Sequence, residues 1–161
     1  MTKPYEDLAD RIRGEILDLD RLIVKVLWAW KQCKIKPEEQ GVFIDSIALN
    51  LHGFYSGLER IFELIVRQVD QNELCGNLWH RELLKQISHE MQDIRPAVIS
   101  EISLSYLDEL RRFRHLVRNV YTFNLAPEKV EPLISSIPQF WPNLQDELLA
   151  FADFLEQTGS A

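Results

Sequence analysis

Arginine side chains are concentrated in one short stretch of the chain, between positions 111 and 118. The chain has eleven arginines, and four of them are Arg111, Arg112, Arg114 and Arg118. On an α-helix, which turns about 100° per residue, Arg111, Arg114, His115 and Arg118 share one face. Guanidinium groups bind phosphate oxygens through paired hydrogen bonds, and an imidazole can carry protons near neutral pH. This stretch therefore has the side chains needed to hold a phosphate group and to move protons around it.

A structural interpretation of the same arginines is also possible, because charged runs are commonly solvated or paired with acidic side chains. Asp108 and Glu109 lie in the same stretch, and another helix could supply further carboxylates. The formal net charge of −7 argues against general coating of nucleic acid. It is compatible with a local basic site, because salt confines the field of a charge to about 8–10 Å. Both interpretations stay open at this point.

The elements that must position these residues are predicted to be helices, because apolar residues recur with helical period and strand-like alternation is absent. The predicted helices run from Pro4 to Cys33, from Pro37 to Val69, over 78–91, and from about Ser103 to Asn124, followed by a pair of helices divided or kinked at Pro138 and Pro142. Asn77 is expected to cap the third helix, and Ser103 or Ser105 the fourth. We expect an all-α, antiparallel bundle of about five helices, with residues 1–161 forming a single domain.

The second predicted helix has a polar face opposite its apolar stripe. Its members are His52, Tyr55, Ser56, Glu59 and Glu63. The simple expectation is that this face meets solvent. The alternative is a second wall that faces the arginines of the fourth helix, with His52, Tyr55 and Glu59 as its candidate residues.

Several common chemistries lack their signatures in this sequence. There is no phosphate-binding GxxxxGK[ST] loop, no GxGxxG or GxSxG turn and no HExxH pair, so no metal and no cofactor is expected. His80 is expected to be a partly exposed helix residue. The most apolar run, Leu22–Trp30, is too short to span a bilayer, and the charged N-terminus does not resemble a secretory signal. With Cys33 and Cys75 isolated from one another, these features predict a cytoplasmic protein without membrane association.

The segment RHLVRNVY, residues 114–121, resembles the motif of the HEPN superfamily and in particular of its HepT-like toxins. Those toxins are small all-helical ribonucleases of toxin–antitoxin pairs. Their motif is an arginine followed by a polar residue, then a histidine after four to six intervening positions, commonly with a tyrosine two residues later. Arg114, His115, Asn119 and Tyr121 take these four positions in turn. The departure is Asn119, which stands where the family usually has its catalytic histidine.

The resemblance implies a metal-independent RNA endonuclease in which the ribose 2′-hydroxyl attacks the adjacent phosphate. Arg114, with Arg111 and Arg118, would bind the phosphate. Asn119 cannot titrate near neutral pH and could only orient groups or donate hydrogen bonds, so we expect His115 to carry protons instead. One alternative is a catalytically weakened or inactive HEPN domain that binds a nucleotide, RNA or a protein partner. Another is a helical interaction module whose arginines are only paired with carboxylates.

The resemblance also implies particular partners. The predicted fourth helix, which carries the motif, is called the motif helix. A homodimer would place two copies of it in one basic groove and double the groups available to the RNA substrate. The antitoxin of such a pair is typically a nucleotidyltransferase that modifies the motif tyrosine with AMP. The predicted helix extends past Tyr121, and helical geometry puts this side chain beside Arg114 and Arg118, where an AMP phosphate would compete with RNA. The simpler alternative is that Tyr121 packs at the edge of the apolar stripe with its hydroxyl in solvent.

Overall fold

The computed structural model describes residues 3–119, 121 and 125–160. Its five α-helices are α1 Lys3–Ile35, α2 Gln40–Gln68, α3 Trp79–Ile87, α4 Glu101–Asn119 and α5 Pro127–Ser160. A single 3-10 turn, Pro37–Glu39, separates α1 from α2. No β-strand occurs within the described residues. The predicted all-α bundle of about five helices is therefore confirmed.

The helices α1 and α2 form an antiparallel hairpin that supplies much of the core. Successive contacts run in opposite directions along the two helices, with Trp28 against Phe43 and Leu19 against Gly57. A Cβ atom at Gly57 would lie only 2.7 Å from Leu19 Cδ2, so the absence of a side chain there allows α1 to approach closely. The predicted apolar stripe of α2 is buried against this neighbour.

The last helix, α5, is continuous over 34 residues although it contains Pro132, Pro138 and Pro142. The prediction of two helices divided at the later prolines is wrong. All three prolines are exposed. A proline deletes one backbone hydrogen bond, but on the outer face the released carbonyl can be hydrated and the ring does not disturb the core. The buried face of α5 therefore continues without interruption beneath α1 and α4.

Polar contacts from outside the helix fix the beginning of α4. The backbone N–H of Ser103 donates to Ser100 Oγ at 3.3 Å, so Ser100 caps α4 and the predicted cap at Ser103 or Ser105 is wrong. The Ser103 hydroxyl instead donates to Glu147 Oε1 of α5 at 2.7 Å. This contact anchors α4 on α5 at the end of α4 that is farther from the arginines.

The motif helix ends at Asn119, before the predicted end at Asn124, which lies outside the described residues. Tyr121 carries an aromatic side chain, whose helix propensity is lower than that of the leucines and arginines of α4. Tyr121 is not helical. The prediction that the helix continues as far as Tyr121 is therefore wrong.

A buried ion pair holds the short helix α3 in place. Arg95 donates from Nε to Asp70 Oδ1 at 2.6 Å and from Nη2 to Asp70 Oδ2 at 2.8 Å, and both side chains are fully buried. Arg95 also donates to the backbone carbonyls of Gln86 and His89 at the end of α3. We call these contacts the Arg95 network. They connect the segments before and after α3 to its last turn. Because α3 is a short rigid helix, fixing its last turn also fixes the position of its first turn.

Two expectations for α3 and its surroundings are corrected. The helix starts at Trp79 after Leu78 and has no side-chain cap, so the predicted cap at Asn77 is wrong. It ends at Ile87, four residues earlier than predicted, because the chain then turns through the Arg95 network. Within the described chain, no helix has both the length and the apolarity needed to cross a bilayer.

Candidate functional site

The central arginine of the motif, Arg114, points from α4 toward α2. Its side chain is only 17% exposed, and its Nη1 atom lies 3.8 Å from Glu59 Oε1. Its guanidinium carbon lies 5.8 Å from the centre of the Tyr55 ring, within the range of a cation–π contact. The structure thus brings two of the three candidate wall residues of α2 against an arginine of the motif.

Glu59 is the centre of this arrangement. Its carboxylate is 7% exposed, and its second oxygen, Oε2, lies 2.6 Å from Nδ1 of His80 on α3. Burying an ionised carboxylate is costly unless charged or hydrogen-bonding groups compensate it. Here a guanidinium on one oxygen and an imidazole on the other provide that compensation. We call Tyr55, Glu59, His80 and Arg114 the Glu59 cluster.

Tyr55 forms the buried side of the Glu59 cluster. It is almost fully buried, and neither its hydroxyl nor Arg114 Nε makes a hydrogen bond among the described residues. Burial, reinforced by the negative charge of Glu59, raises the pKa of Tyr55 far above its ordinary value. The phenol therefore stays neutral and serves as a ring against which the guanidinium packs.

His52, the third candidate wall residue, lies in the field of the same arginines. Burial lowers the pKa of His52, and the charges of Arg114 and Arg118 lower it further, while Glu59 acts in the opposite direction. An imidazole whose pKa lies below the usual value of about 6.5 is mostly neutral at pH 7. His52 thus adds hydrogen-bonding atoms to this surface without adding charge.

The remaining arginines of the motif helix differ in their surroundings. Arg111 donates from Nε to Asp108 Oδ1 at 2.9 Å, and Arg112 lies 3.5 Å from the other oxygen of Asp108. Arg118 is exposed and makes no ion pair within the described ranges. The structural interpretation of the arginines therefore accounts for some of this charge, and Arg118 keeps its charge available at the surface.

The last turn of α4 carries the other motif residues. His115 and Asn119 are exposed, and the Asn119 side chain donates to the backbone carbonyl of His115 at 2.6 Å. The same Asn119 nitrogen lies 3.5 Å from His115 Nε2. Tyr121, just beyond the helix, is 73% exposed. The asparagine in the histidine position is thus engaged with its own helix.

His80 is the residue of this site that the sequence did not reveal. Its partial exposure agrees with the prediction, but its contact with Glu59 joins positions 21 residues apart on different helices. Its ring also stacks on Trp79, with 3.7 Å between ring centres. No short motif surrounds His80, and only the packing of α3 against α2 creates the contact. Across the described part of the chain, no cluster of three or more His, Cys, Asp or Glu side chains is arranged to hold a metal ion.

Comparison with known proteins assigns the chain to a family. The family model described as HepT-like protein matches residues 46–155. The matched region begins within α2 and ends within α5, so it contains the whole Glu59 cluster and the motif from Arg114 to Tyr121. Comparisons with curated proteins and with solved structures gave no significant match. Because the matched region covers more than half of the chain, the chain belongs to the HepT-like protein family.

Proposed function

We propose that this protein is a metal-independent RNA endonuclease and the toxin of a HEPN/nucleotidyltransferase toxin–antitoxin pair. Family membership supports a HEPN-type, toxin-like protein. The observation that carries the finer proposal is the placement of Arg114, which is held by Glu59 and Tyr55 while its helix also presents Arg118. A buried, contacted guanidinium together with an exposed one is suited to a phosphodiester whose charge changes during reaction.

In the proposed reaction the ribose 2′-oxygen attacks the adjacent phosphorus and the bond to the 5′-oxygen breaks. Arg114 donates hydrogen bonds to a non-bridging phosphate oxygen and stabilises the charge that develops there. Its position is set before the substrate binds, because Glu59 and Tyr55 restrict it on two sides. Arg118 and Arg111 contact neighbouring phosphates of the RNA. The catalytic residues predicted from the motif, Arg114, His115 and Asn119, form part of this proposal.

A homodimer completes the proposed site. One chain offers Arg114, Arg111 and Arg118 to the phosphates, which are few groups for both the attacking and the leaving oxygen. A two-fold axis beside α4 would bring two copies of these groups into one groove. The acidic remainder of the chain, with its net charge of −7, would discourage RNA from binding elsewhere on the surface.

Asn119 favours a second candidate function, a HEPN domain that binds RNA, a nucleotide or a partner without cutting. The Asn119 side-chain amide cannot act as an acid or a base near neutral pH, and it already donates a hydrogen bond to the His115 carbonyl. In this alternative Arg114 and Arg118 still bind phosphate. Both candidate functions predict phosphate binding, but only the first predicts RNA cleavage.

Cleavage of a fluorescent RNA in the presence of a metal chelator tests the first candidate. Wild-type protein is expected to cut, and Arg114→Ala to lose about 10²–10³-fold in rate, as when one transition-state donor is removed. Arg112→Ala is the matched control, because Arg112 belongs to the same helix and its ion pair among the described residues is with Asp108. Binding without cleavage by wild type, measured by fluorescence anisotropy, would favour the second candidate.

Tyr121 is the proposed point of control. It is exposed and stands in the position where the resembling toxins receive AMP. An added AMP would bring a phosphate near the arginine face and would also obstruct the groove. Intact-protein mass spectrometry after co-expression with a nucleotidyltransferase encoded beside its gene should show one AMP adduct that maps to Tyr121. A neutralised but unmodified toxin would instead mean inhibition by complex formation.

A further inference from the structure

A histidine outside the motif is placed to act as a base. We infer that His80 is the catalytic residue that accepts the proton of the ribose 2′-hydroxyl, and that it does the work the motif histidine would do if Asn119 were not in its place. The inference rests on the proposed function, since it assigns a group to that reaction. It is carried by the 2.6 Å contact between His80 Nδ1 and a buried carboxylate oxygen of Glu59.

The contact with Glu59 determines which tautomer a neutral His80 imidazole adopts. An ionised carboxylate can only accept hydrogen bonds, so Nδ1 of a neutral His80 must carry the proton and donate it to Glu59. The other ring nitrogen, Nε2, then keeps its lone pair. Nε2 makes no hydrogen bond to any described residue, and the side chain is 28% exposed, so this nitrogen is available to a substrate. A carboxylate that orients a histidine in this way also stabilises the imidazolium formed when the base accepts a proton.

The same carboxylate connects this base to the phosphate-binding arginine. One oxygen of Glu59 contacts His80 and the other lies 3.8 Å from Arg114 Nη1. The two groups are therefore held on either side of a single carboxylate, although they come from α3 and α4. Trp79 packs on the imidazole and restricts rotation of its ring. A base beside a fixed cation is the pair that attack of a hydroxyl on a phosphodiester requires.

His115, the base expected from the motif, lacks this support. It is exposed, no carboxylate contacts it among the described residues, and its Nε2 atom lies 3.5 Å from the side-chain nitrogen of Asn119. The difference between the two histidines is orientation. Glu59 and Trp79 fix His80 before substrate binds, whereas His115 would lose side-chain freedom on engaging it.

The proposed step balances as follows. Nε2 of His80 takes the proton of the 2′-hydroxyl while the 2′-oxygen forms a bond to phosphorus. The bond from phosphorus to the 5′-oxygen breaks, which leaves a 2′,3′-cyclic phosphate on one RNA fragment. The departing 5′-oxygen takes a proton from solvent, and the His80 imidazolium returns its proton to solvent. No oxidant, metal or other co-reactant is consumed.

The test compares His80→Asn with His80→Phe in the full-length protein. Asparagine keeps a donor near the position of Nδ1 and so keeps the contact with Glu59, but it has no base at Nε2. If His80 is the base, both variants should lose about 10²–10⁴-fold in kcat with little change in KM. If His80 only positions Glu59 and Arg114, His80→Asn should stay active while His80→Phe falls. His89→Asn, an exposed histidine beyond the same helix, is the matched control and should keep wild-type activity.

A measurement on unmutated protein guards against variants that fail to fold. Diethyl pyrocarbonate acylates accessible imidazole nitrogens, and a bound, non-cleavable 2′-deoxy RNA analogue should protect His80 and preserve activity. Mass spectrometry should map the inactivating adduct to His80. An active wild type whose His80→Asn variant is equally active, or whose inactivation follows another histidine, would overturn this assignment alone. A wild type that binds RNA and never cleaves it would overturn the proposed function and this assignment with it.

Discussion

Two buried tyrosines show how differently a hydroxyl can contribute to stability within one protein. The Tyr106 hydroxyl donates to the Leu133 carbonyl at 2.7 Å, across the interface of α4 and α5. The Tyr55 hydroxyl is also buried but makes no hydrogen bond among the described residues. A buried donor without an acceptor costs free energy, whereas a satisfied one contributes roughly 1 kcal/mol.

Tyr55→Phe is therefore expected to leave the free energy of unfolding unchanged or to raise it by up to about 1 kcal/mol. Tyr106→Phe should lower it by roughly 1–2 kcal/mol, because the Leu133 carbonyl loses its donor. Urea unfolding followed by circular dichroism measures both. A larger loss in Tyr55→Phe than in Tyr106→Phe would contradict this account of the cluster.

At the residue scale the sequence predicted which helix faces meet better than it predicted the individual contacts between side chains. Glu59 and Tyr55 were candidates because the helical period put them on one face, and that face does meet Arg114. His80 was not a candidate, because its importance comes only from the packing of α3. The catalytic roles given to Arg114, His115 and Asn119 remain predictions.

Elements in this protein are positioned by two different means, a close helix approach and a buried ion pair. The first is visible at two glycines of α2. A Cβ at Gly57 would meet Leu19 Cδ2 at 2.7 Å, whereas a Cβ at Gly53 would meet Leu22 Cδ1 at an ordinary 3.6 Å.

Gly57→Ala should therefore destabilise the protein by about 1–3 kcal/mol through overpacking of the α1–α2 interface. Gly53→Ala, four residues away on the same helix, should stabilise it by up to about 1 kcal/mol, because alanine favours a helix. Thermal unfolding of the two variants makes the comparison. Equal effects would mean that α1 can move away from α2 without cost.

The Arg95 network, which contains the buried ion pair, is the second means by which helices are positioned. Arg95→Ala should lower the free energy of unfolding by about 3–5 kcal/mol, because Asp70 would be left as a buried charge without its partner. Arg11→Ala removes an exposed pair with Glu15 and should cost less than about 0.5 kcal/mol. Chemical denaturation measures both values, and a cost below about 1 kcal/mol for Arg95→Ala would show that water reaches Asp70.

The first and last residues of a helix were predictable where a long apolar period defines the helix. They were not predictable where single contacts determine its ends. The helices α1 and α2 agree with their predicted extents within a few residues, because long apolar stripes define them. The end of α3 differs from prediction because the Arg95 network joins Arg95 to Asp70, and the start of α4 differs because Ser100, and not Ser103 or Ser105, caps it. The prolines of α5 misled the prediction because their cost depends on which face they occupy.

For the whole molecule we predict a two-fold homodimer in which both copies of α4 line one groove. Its motivation is the small number of phosphate-binding groups on one chain. Light scattering coupled to size-exclusion chromatography should give a mass of twice 18.9 kDa at micromolar concentration. RNA affinity should fall steeply with salt, because neutralised phosphates release counterions. A monomer that cleaves RNA at full rate would contradict the shared groove.

The three prolines of α5 give its two halves different resistance to local opening. The first half, residues 127–143, lacks three backbone hydrogen bonds that the second half retains, and it also accepts the Tyr106 hydroxyl of the motif helix. Its amide protons should therefore exchange with deuterated solvent faster than those of residues 144–158. The Tyr106 hydroxyl joins α4 to that softer half, whereas Ser103 holds the beginning of α4 on Glu147 of the second half. Each local opening of the first half would therefore briefly release the arginine-bearing end of α4 while the rest of the bundle stays folded.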